Sequence, residues 1–275
     1  MALLSTYLRP CLAAAFFLLA ANMPALGQSW EATVTPFSPG TFPPLRPVRV
    51  HYSFGWGGLS AATADIRLEK LSSGRFQFEM TGATTGLART LWPFDLRHTA
   101  LSDAQTLRPL EVKEVEERRS KQMTTELKFS PEEVVSVRVE RKDEAVKTKT
   151  RRFEFPNVLS LNSALLFFRT QPLPDGAVDR VVVYPATSAY LSTITVLGRE
   201  SITVAAGTYP AIKVDVQLSK IGKNRELLPH KKFRKATVWL SNDADRLPLR
   251  IEAQIFVGKV YAELQSVEFD QPQPE

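Results

Sequence analysis

Apolar and polar residues alternate in the run Val135-Ser136-Val137-Arg138-Val139-Glu140-Arg141. Successive side chains of a β-strand point to opposite faces of the sheet, so this period of two predicts a strand with one packed face and one wet face. The charged members of the run belong to the wet face. The run therefore predicts an antiparallel sheet whose outer surface is strongly charged.

Similar runs of β-branched and aromatic residues recur on both sides of it, at intervals of about 10 to 15 residues. The predicted strands are 48–54, 62–71, 75–84, 96–101, 110–117, 124–129, 134–140, 146–155, 178–184, 192–198, 201–204, 209–218, 235–240, 247–256 and 259–269. Glycine-rich turns join several of them, and Gly207 is predicted to supply an unusual backbone angle in the turn 205–208. The pattern predicts a mainly β fold, either one curved antiparallel sheet or half-barrel, or two packed sheets.

One segment has helical spacing instead. Leu161, Ala164, Leu165 and Phe168 fall at i, i+3, i+4 and i+7, which predicts an amphipathic helix over 159–170. Asn157 or Ser160 is available as its N-cap, and prolines follow its end. Because an apolar stripe must be buried, this helix is expected to cover the curved sheet, with Leu165 and Phe168 packed against it.

The N-terminus has the order of a secretory signal peptide. Arg9 precedes an apolar run over 11–21, and small residues follow up to Gly27. The run is too short for a transmembrane anchor, which needs about 20 apolar residues, so we expect cleavage after Gly27 and a periplasmic mature chain. Removal of 1–27 also removes Cys11, the single cysteine, which excludes disulfides and thiolate chemistry from the mature protein.

The rest of the chain is expected to form one domain. Residues 28–47 are predicted to be an irregular, proline-rich leader, 48–269 a single β-rich domain, and 270–275 a frayed tail. No later segment is apolar for long enough to span a bilayer. The formal net charge of +6 favours anionic surfaces without requiring them.

The sequence offers no catalytic or metal-binding motif. The three histidines, His51, His98 and His230, have no metal-ligand spacing. No nucleophile elbow, phosphate-binding loop or dinucleotide fingerprint occurs, and the run 242–245 lacks the later residues of a calcium loop. We therefore expect no catalytic residue, metal or cofactor, although a hydrolase whose residues converge only in space stays open.

A basic concentration lies at 220–235, with only Glu226 to offset it. We single out five of its cations as candidate contacts to lipid head groups: Lys220, Lys223, Arg225, Lys231 and Lys232. A merely solvated loop is the alternative. Nucleic acid is not an expected partner of an exported chain.

Seven segments resemble the exported bacterial proteins known as domain of unknown function 3108. They are YSFGWGGLSAA at 52–62, TTGLA at 84–88, LRPL at 107–110, SALLFFR at 163–169, VLGRE at 196–200, VAAGTYPAIKV at 204–214 and VWLSNDADRLPLRI at 238–251. Asn242 departs from the aspartate of the family pattern, and both residues suit a turn. The resemblance spans roughly 48–269 and implies a periplasmic, β-rich protein. It supplies no catalytic residues.

A sheet covered by one helix also resembles, at the level of fold, the periplasmic lipoprotein carriers of the LolA and LolB kind. The first hypothesis is therefore a non-enzymatic envelope protein that binds a lipid-like ligand or an envelope partner in a cavity. A hydrolase, or an assembly protein acting through its sheet edges, is the alternative. Five aromatic residues are predicted to lie in or beside the cavity, with ordinary core packing as the competing role: Phe54, Trp56, Trp92, Phe94 and Phe168. The oligomeric state stays open.

Overall fold

The computed structural model describes residues 29–40, 45–230, 233–255 and 258–270. The predicted signal peptide and the last five residues of the predicted tail lie outside these ranges. The chain divides into two units, Met1–Val34 and Thr35–Glu275. The described part of the first holds one turn of 3-10 helix, Trp30–Thr33, in which the Thr33 hydroxyl donates to the Trp30 carbonyl at 2.7 Å.

The second unit contains fifteen strands within its described residues. They are β1 Val48–Trp56, β2 Leu59–Leu71, β3 Arg75–Thr84, β4 Asp95–Asp103, β5 Pro109–Arg118, β6 Lys121–Phe129, β7 Glu133–Lys142, β8 Ala145–Glu154, β9 Val178–Val183, β10 Tyr190–Val204, β11 Gly207–Ile221, β12 Leu227–Pro229, β13 Phe233–Ser241, β14 Pro248–Ile255 and β15 Gly258–Phe269. Two helices interrupt them, α1 Gly86–Leu91 and α2 Leu161–Arg169.

All fifteen strands belong to a single antiparallel sheet. Its order is β8-β7-β6-β5-β4-β3-β2-β1-β15-β14-β13-β11-β10-β9, and the short β12 pairs with β11 beside this path. Nearly every neighbouring pair is consecutive in the chain, and β1 is joined to the last strand, β15. The predicted mainly β fold is confirmed, as one sheet rather than two.

The sheet curves until the two ends of its strand order meet. The Ser136 hydroxyl in β7 donates to the Ala186 carbonyl just beyond β9 at 2.6 Å, and the rings of Phe153 and Tyr184 stack with centroids 6.0 Å apart. The segment between β8 and α2 fills the gap, because Leu159 donates to the Val182 carbonyl at 2.9 Å. The apolar face of the curved sheet thus becomes the core.

The helix α2 lies in that core between two apolar clusters. Leu166 joins the cluster formed mainly by β1, β14 and β15, whereas Phe167 and Phe168 join the cluster formed by β9, β10 and β11. Phe168 is buried as predicted, but Leu161, also assigned to the apolar stripe, is 54% exposed. The helix is buried on more than one side near its C-terminal end, so a single stripe describes it poorly.

Glycines with positive φ form two of the turns. Gly57 and Gly58 have φ of +57° and +85° and form a two-residue hairpin loop between β1 and β2, the geometry that matches the twist of paired strands. Gly207 has φ of +135°, which confirms the unusual backbone angle expected there. The predicted strands 192–198 and 201–204 are instead one strand, β10, which carries an irregularity between Val196 and Gly198.

Candidate binding cavity between the helix and the sheet

A cavity of about 160 Å³ lies between α2 and the apolar face of the sheet. Its walls come from β1, β2, β3, β14, β15 and α2: Val48, Val50, Tyr52, Phe54, Ile66, Leu68, Phe78, Asn162, Leu165, Leu166, Arg169, Leu247, Pro248, Ile251 and Ala262. The alternation of β1 explains this placement. Its even-numbered side chains from Val48 to Phe54 point inward, and Arg49 on the other face is exposed.

Side-chain hydrogen bonds hold α2 over this face. Ser160 caps the helix by accepting from the Ser163 amide at 3.0 Å, and the Ser163 hydroxyl bonds that of Ser102 in β4 at 2.8 Å. Asn162, which lines the cavity, has its Oδ1 2.9 Å from His98 Nε2. These bonds fix the start of α2 relative to β4, the strand next to the cavity-lining β3.

Besides Asn162, two polar side chains, Tyr52 and Arg169, interrupt the apolar lining. The Tyr52 hydroxyl donates to the Pro248 carbonyl, and burial raises the pKa of this phenol well above its ordinary value. Arg169 is 4% exposed, and its Nε donates to the Asp245 carbonyl at 2.7 Å. Burial lowers the pKa of Arg169, an effect that the charge of Asp245 opposes. The cavity is thus apolar with a phenol and a guanidinium in its wall.

The five predicted aromatic residues do not lie together. Phe54 lines the cavity. Phe168 packs in the other core cluster, and Phe94 is partly buried beneath the Arg118 guanidinium, 5.0 Å from its ring centre. Trp56 and Trp92 are 54% and 65% exposed. Sequence reasoning missed Tyr52 and Arg169, although the alternation of β1 and the helical spacing already placed both on inward faces.

The two tryptophans belong to an exposed apolar surface at one end of the sheet, here called the apolar end. It consists of Trp56, Leu59, Leu87, Leu91 and Trp92. The β1–β2 turn and α1 meet there, since the Thr85 amide donates to the Ala61 carbonyl at 2.9 Å. Arg119, from the β5–β6 turn, donates to the Leu91 carbonyl at 2.9 Å. Cationic and apolar side chains therefore share this end.

The basic concentration at 220–235 begins as an ordered hairpin. Gly222 donates to the Glu226 carbonyl at 2.9 Å, and β12 pairs with the end of β11. Lys220, Lys223 and Arg225 are exposed, and Arg225 also covers the Phe155 ring at 5.3 Å. Lys231 and Lys232 lie outside the described residues. We call residues 220–230 of this segment the basic loop.

The histidines make local contacts with carboxylates. His51 Nδ1 lies 2.8 Å from Asp65 Oδ1 across β1 and β2, and His98 Nδ1 lies 3.1 Å from Glu114 Oε2. The other nitrogen of His98 faces the amide of Asn162 rather than a hydroxyl. Across the ranges that the structure describes, no three His, Cys, Asp or Glu side chains converge as metal ligands. In those same ranges, every helix is too short or too polar to cross a lipid bilayer.

Comparisons with known proteins point to a family without an assigned activity. A family model described as protein of unknown function (DUF3108) matches residues 49–265. No curated protein sequence matches the chain. Among solved structures, a β-barrel-like protein of the DUF1849 domain from Brucella abortus superposes with a TM-score of 0.55 at 9% identity, covering 83% of this chain and 99% of that one. At this identity the likeness concerns the fold alone.

Two further solved structures overlap less well. A candidate lipoprotein from Parabacteroides distasonis has a TM-score of 0.33 at 12% identity, covering 84% of this chain and 99% of its own. A candidate exported protein with a YmcC-like fold from Bacteroides fragilis has a TM-score of 0.27 at 12% identity, with coverages of 84% and 98%. Overlaps this low carry no argument about the present chain.

Proposed function

The chain belongs to the DUF3108 family, and from this premise we propose that it is an exported envelope protein that binds a small apolar ligand in the cavity beside α2, without catalysing a reaction on it. The observation that carries the proposal is the cavity itself. Its wall is apolar except for Asn162, Tyr52 and Arg169. Ligand sites are concave, mostly apolar and supplied with a few polar groups that orient the ligand, which describes this cavity.

The size of the cavity limits the ligand. An apolar protein cavity of about 150 Å³ holds one benzene molecule, and the volume here is about 160 Å³. We therefore propose that it accommodates one aromatic ring or a short acyl group, on the order of six to eight heavy atoms. A complete phospholipid does not fit, so a long-chain ligand would have only its terminal part inside.

Export rests on the sequence of the N-terminus. The order of basic residue, apolar run and small residues up to Gly27 is that of a signal peptide. N-terminal sequencing of the mature protein from a periplasmic fraction is expected to begin close to Gln28. Full-length protein retained in the membrane would rule out this part of the proposal.

An uncharged probe molecule tests whether the cavity binds a ligand. We expect 1-hexanol to bind saturably, with one site per chain, in isothermal titration calorimetry. Ile251 lines the cavity. The larger side chain of Ile251→Trp is therefore expected to fill the cavity and to weaken the binding of 1-hexanol about tenfold or more. Val146→Trp, at a position 60% exposed in β8, is the matched control. Saturable binding that survives Ile251→Trp would place the ligand elsewhere, and no saturable binding would end the proposal.

We further propose that the protein meets anionic lipid through its basic loop and its apolar end. Lys220 and Lys223 supply charge, and Trp56 and Trp92 are residues of the kind found at membrane interfaces. A protein that exchanges apolar molecules with the envelope needs such a contact.

Assembly through sheet edges is less well supported. The edge strand β8 exposes Lys147, Lys149 and Arg152. Lysine-rich edges are a common means of preventing strand-to-strand association. A hydrolase has no support from the contacts of His51 and His98, which pair with carboxylates but not with a hydroxyl nucleophile.

A further inference from the structure

The guanidinium of Arg169 is only partly satisfied. Its Nε donates to the Asp245 carbonyl, but Nη2 is buried and has no hydrogen-bond partner among the described residues. A buried polar atom without a partner is uncommon in folded proteins, and for a charged group it is especially costly. The same side chain forms part of the cavity wall.

The carboxylates near Arg169 are engaged elsewhere. Asp245 forms an ion pair with Arg46. Asp243 Oδ1 accepts from the Ser241 hydroxyl at 2.7 Å and from the amides of Asp245 and Arg246. The nearby Tyr52 hydroxyl already donates to the Pro248 carbonyl. Arg169 therefore brings a positive charge to the cavity that none of these groups pairs directly.

We propose that Arg169 receives the carboxylate of the ligand, so that the cavity selects a small monocarboxylic acid with an apolar body. This inference rests on the proposed function, because it assigns a head group to the ligand of the same cavity. Because Nη2 is buried, the guanidinium turns toward the cavity when the ligand binds. A carboxylate oxygen then accepts from Nη2 in a charge-assisted hydrogen bond, and the apolar body lies against Leu165, Ile66 and Ile251. The bond supplies the missing partner of the guanidinium.

Ligands of equal chain length are expected to differ in affinity according to the charge of their head group. An alcohol of equal length makes the same apolar contacts but offers a weaker, neutral acceptor, and an amine places a second positive charge beside Arg169. The order of affinity is therefore acid, then alcohol, then amine.

Three ligands with a common chain test the head group on the unmodified protein. In calorimetric titrations at neutral pH, we expect hexanoate to bind at least about tenfold tighter than 1-hexanol, and hexylamine to bind most weakly. If hexanoate and 1-hexanol bind alike, the carboxylate assignment is wrong, a water molecule is the better partner for Nη2, and the apolar cavity stands. If none of the three binds, the proposed function fails as well.

Substitutions of Arg169 test whether this residue causes the preference for hexanoate over 1-hexanol. Arg169→Met keeps an apolar stem without the charge, and it is expected to abolish the preference for hexanoate over 1-hexanol. Arg169→Lys is expected to retain part of it. Arg152→Met removes a surface cation of β8 that pairs with Glu133, and it is the control that should leave the preference unchanged. A preference that persists in folded Arg169→Met would overturn the assignment, and if that variant does not fold, the three-ligand comparison still decides.

Discussion

At the scale of one residue, the burial of Tyr52 makes the stability of the protein depend on pH. Its phenol is buried, and desolvation keeps the folded-state pKa above its ordinary value. The folded protein therefore holds this proton at a pH at which the unfolded chain releases it, so stability declines as pH rises above about 10.

Tyr52→Phe removes this titration. We expect the variant to lose about 1 kcal/mol at neutral pH, because its bond to the Pro248 carbonyl is gone. Between about pH 10 and 11 the parent protein should lose about 1 kcal/mol more than the variant does. Urea denaturation across this range measures both effects. Parallel stability curves would mean that the phenol ionises as easily in the folded state as in the unfolded one.

Gly207 tests the backbone of the β10–β11 hairpin. At φ of +135° a side chain is strained whatever the space around it, so Gly207→Ala is expected to cost about 1 to 3 kcal/mol in the free energy of unfolding. Gly82 lies in β3 without a positive φ, and an added Cβ would meet its neighbours no closer than 3.4 Å. Gly82→Ala is the control and should be nearly neutral. Equal costs for the two variants would show that backbone angle is not the cause.

Residues with a local signature were predictable and others were not. The angle at Gly207 follows from a turn that its immediate neighbours define. The helical spacing placed Arg169 on the inward stripe, four residues after Leu165, but its hydrogen bonding could not be predicted, because it depends on Asp245, which is 76 residues away in the chain. A basic residue in the last turn of a helix ordinarily indicates a solvated side chain near the helix C-terminus.

At the scale of elements, α2 is predicted to be the central core element. Phe168 is 6% exposed, so Phe168→Ala should cost about 3 to 5 kcal/mol in the free energy of unfolding, from lost burial and the cavity left behind. Leu161→Ala, in the same helix but 54% exposed, should change it by less than about 0.5 kcal/mol. Thermal denaturation of the two variants gives the comparison. Similar melting temperatures would mean that α2 is peripheral.

The sequence predicted most long strands well, although it divided β10 in two at its irregularity, and it predicted short elements poorly. Alternation over many residues located β3 at its observed bounds, Arg75–Thr84. The helix α1 spans only six residues, Gly86–Leu91, too few for a helical period to stand out. The three-residue β12 is held by its pairing with β11 inside a stretch that charge alone marked as a loop. This pairing closes a short hairpin, but residues 227–229 are too few for an alternation of apolar and polar residues to indicate a strand.

At the scale of the molecule, closure of the sheet brings distant segments together. The contacts of Ser136 with Ala186 and of Phe153 with Tyr184 join residues that sequence periodicity treats separately. The cavity has the same origin, because its wall combines β1, near the start of the domain, with α2 and β14. Periodicity predicted the inward face of β1 correctly, but in β7 it assigned Val135 and Val137 to the packed face, whereas Val134 and Ser136 are the buried residues. It could not predict which inward faces meet, and Trp56 and Trp92 consequently lie at the apolar end instead of in the cavity.

Contact with the membrane is the prediction that belongs to the whole molecule. Binding to vesicles that contain phosphatidylglycerol, measured by sedimentation, should weaken as salt rises, because screening reduces the attraction between exposed cations and anionic lipid. Reversing two charges of the basic loop, with Lys220→Glu and Lys223→Glu, should lower the affinity about tenfold or more and flatten the salt dependence. The same reversal in β8, with Lys147→Glu and Lys149→Glu, leaves the net charge equal to that of the loop variant.

The apolar end contributes to the same contact through burial rather than charge. Trp56→Ala with Trp92→Ala should weaken vesicle binding at every salt concentration and leave the salt dependence intact, since apolar contacts are not screened. If the loop and β8 reversals act equally, the attraction is a property of net charge, and the basic loop has no special role. If the tryptophan variant binds as the parent does, the apolar end faces another partner. If the basic loop and the apolar end contact the same bilayer, the charge reversal changes the salt dependence of vesicle binding, whereas the tryptophan substitutions change only its strength.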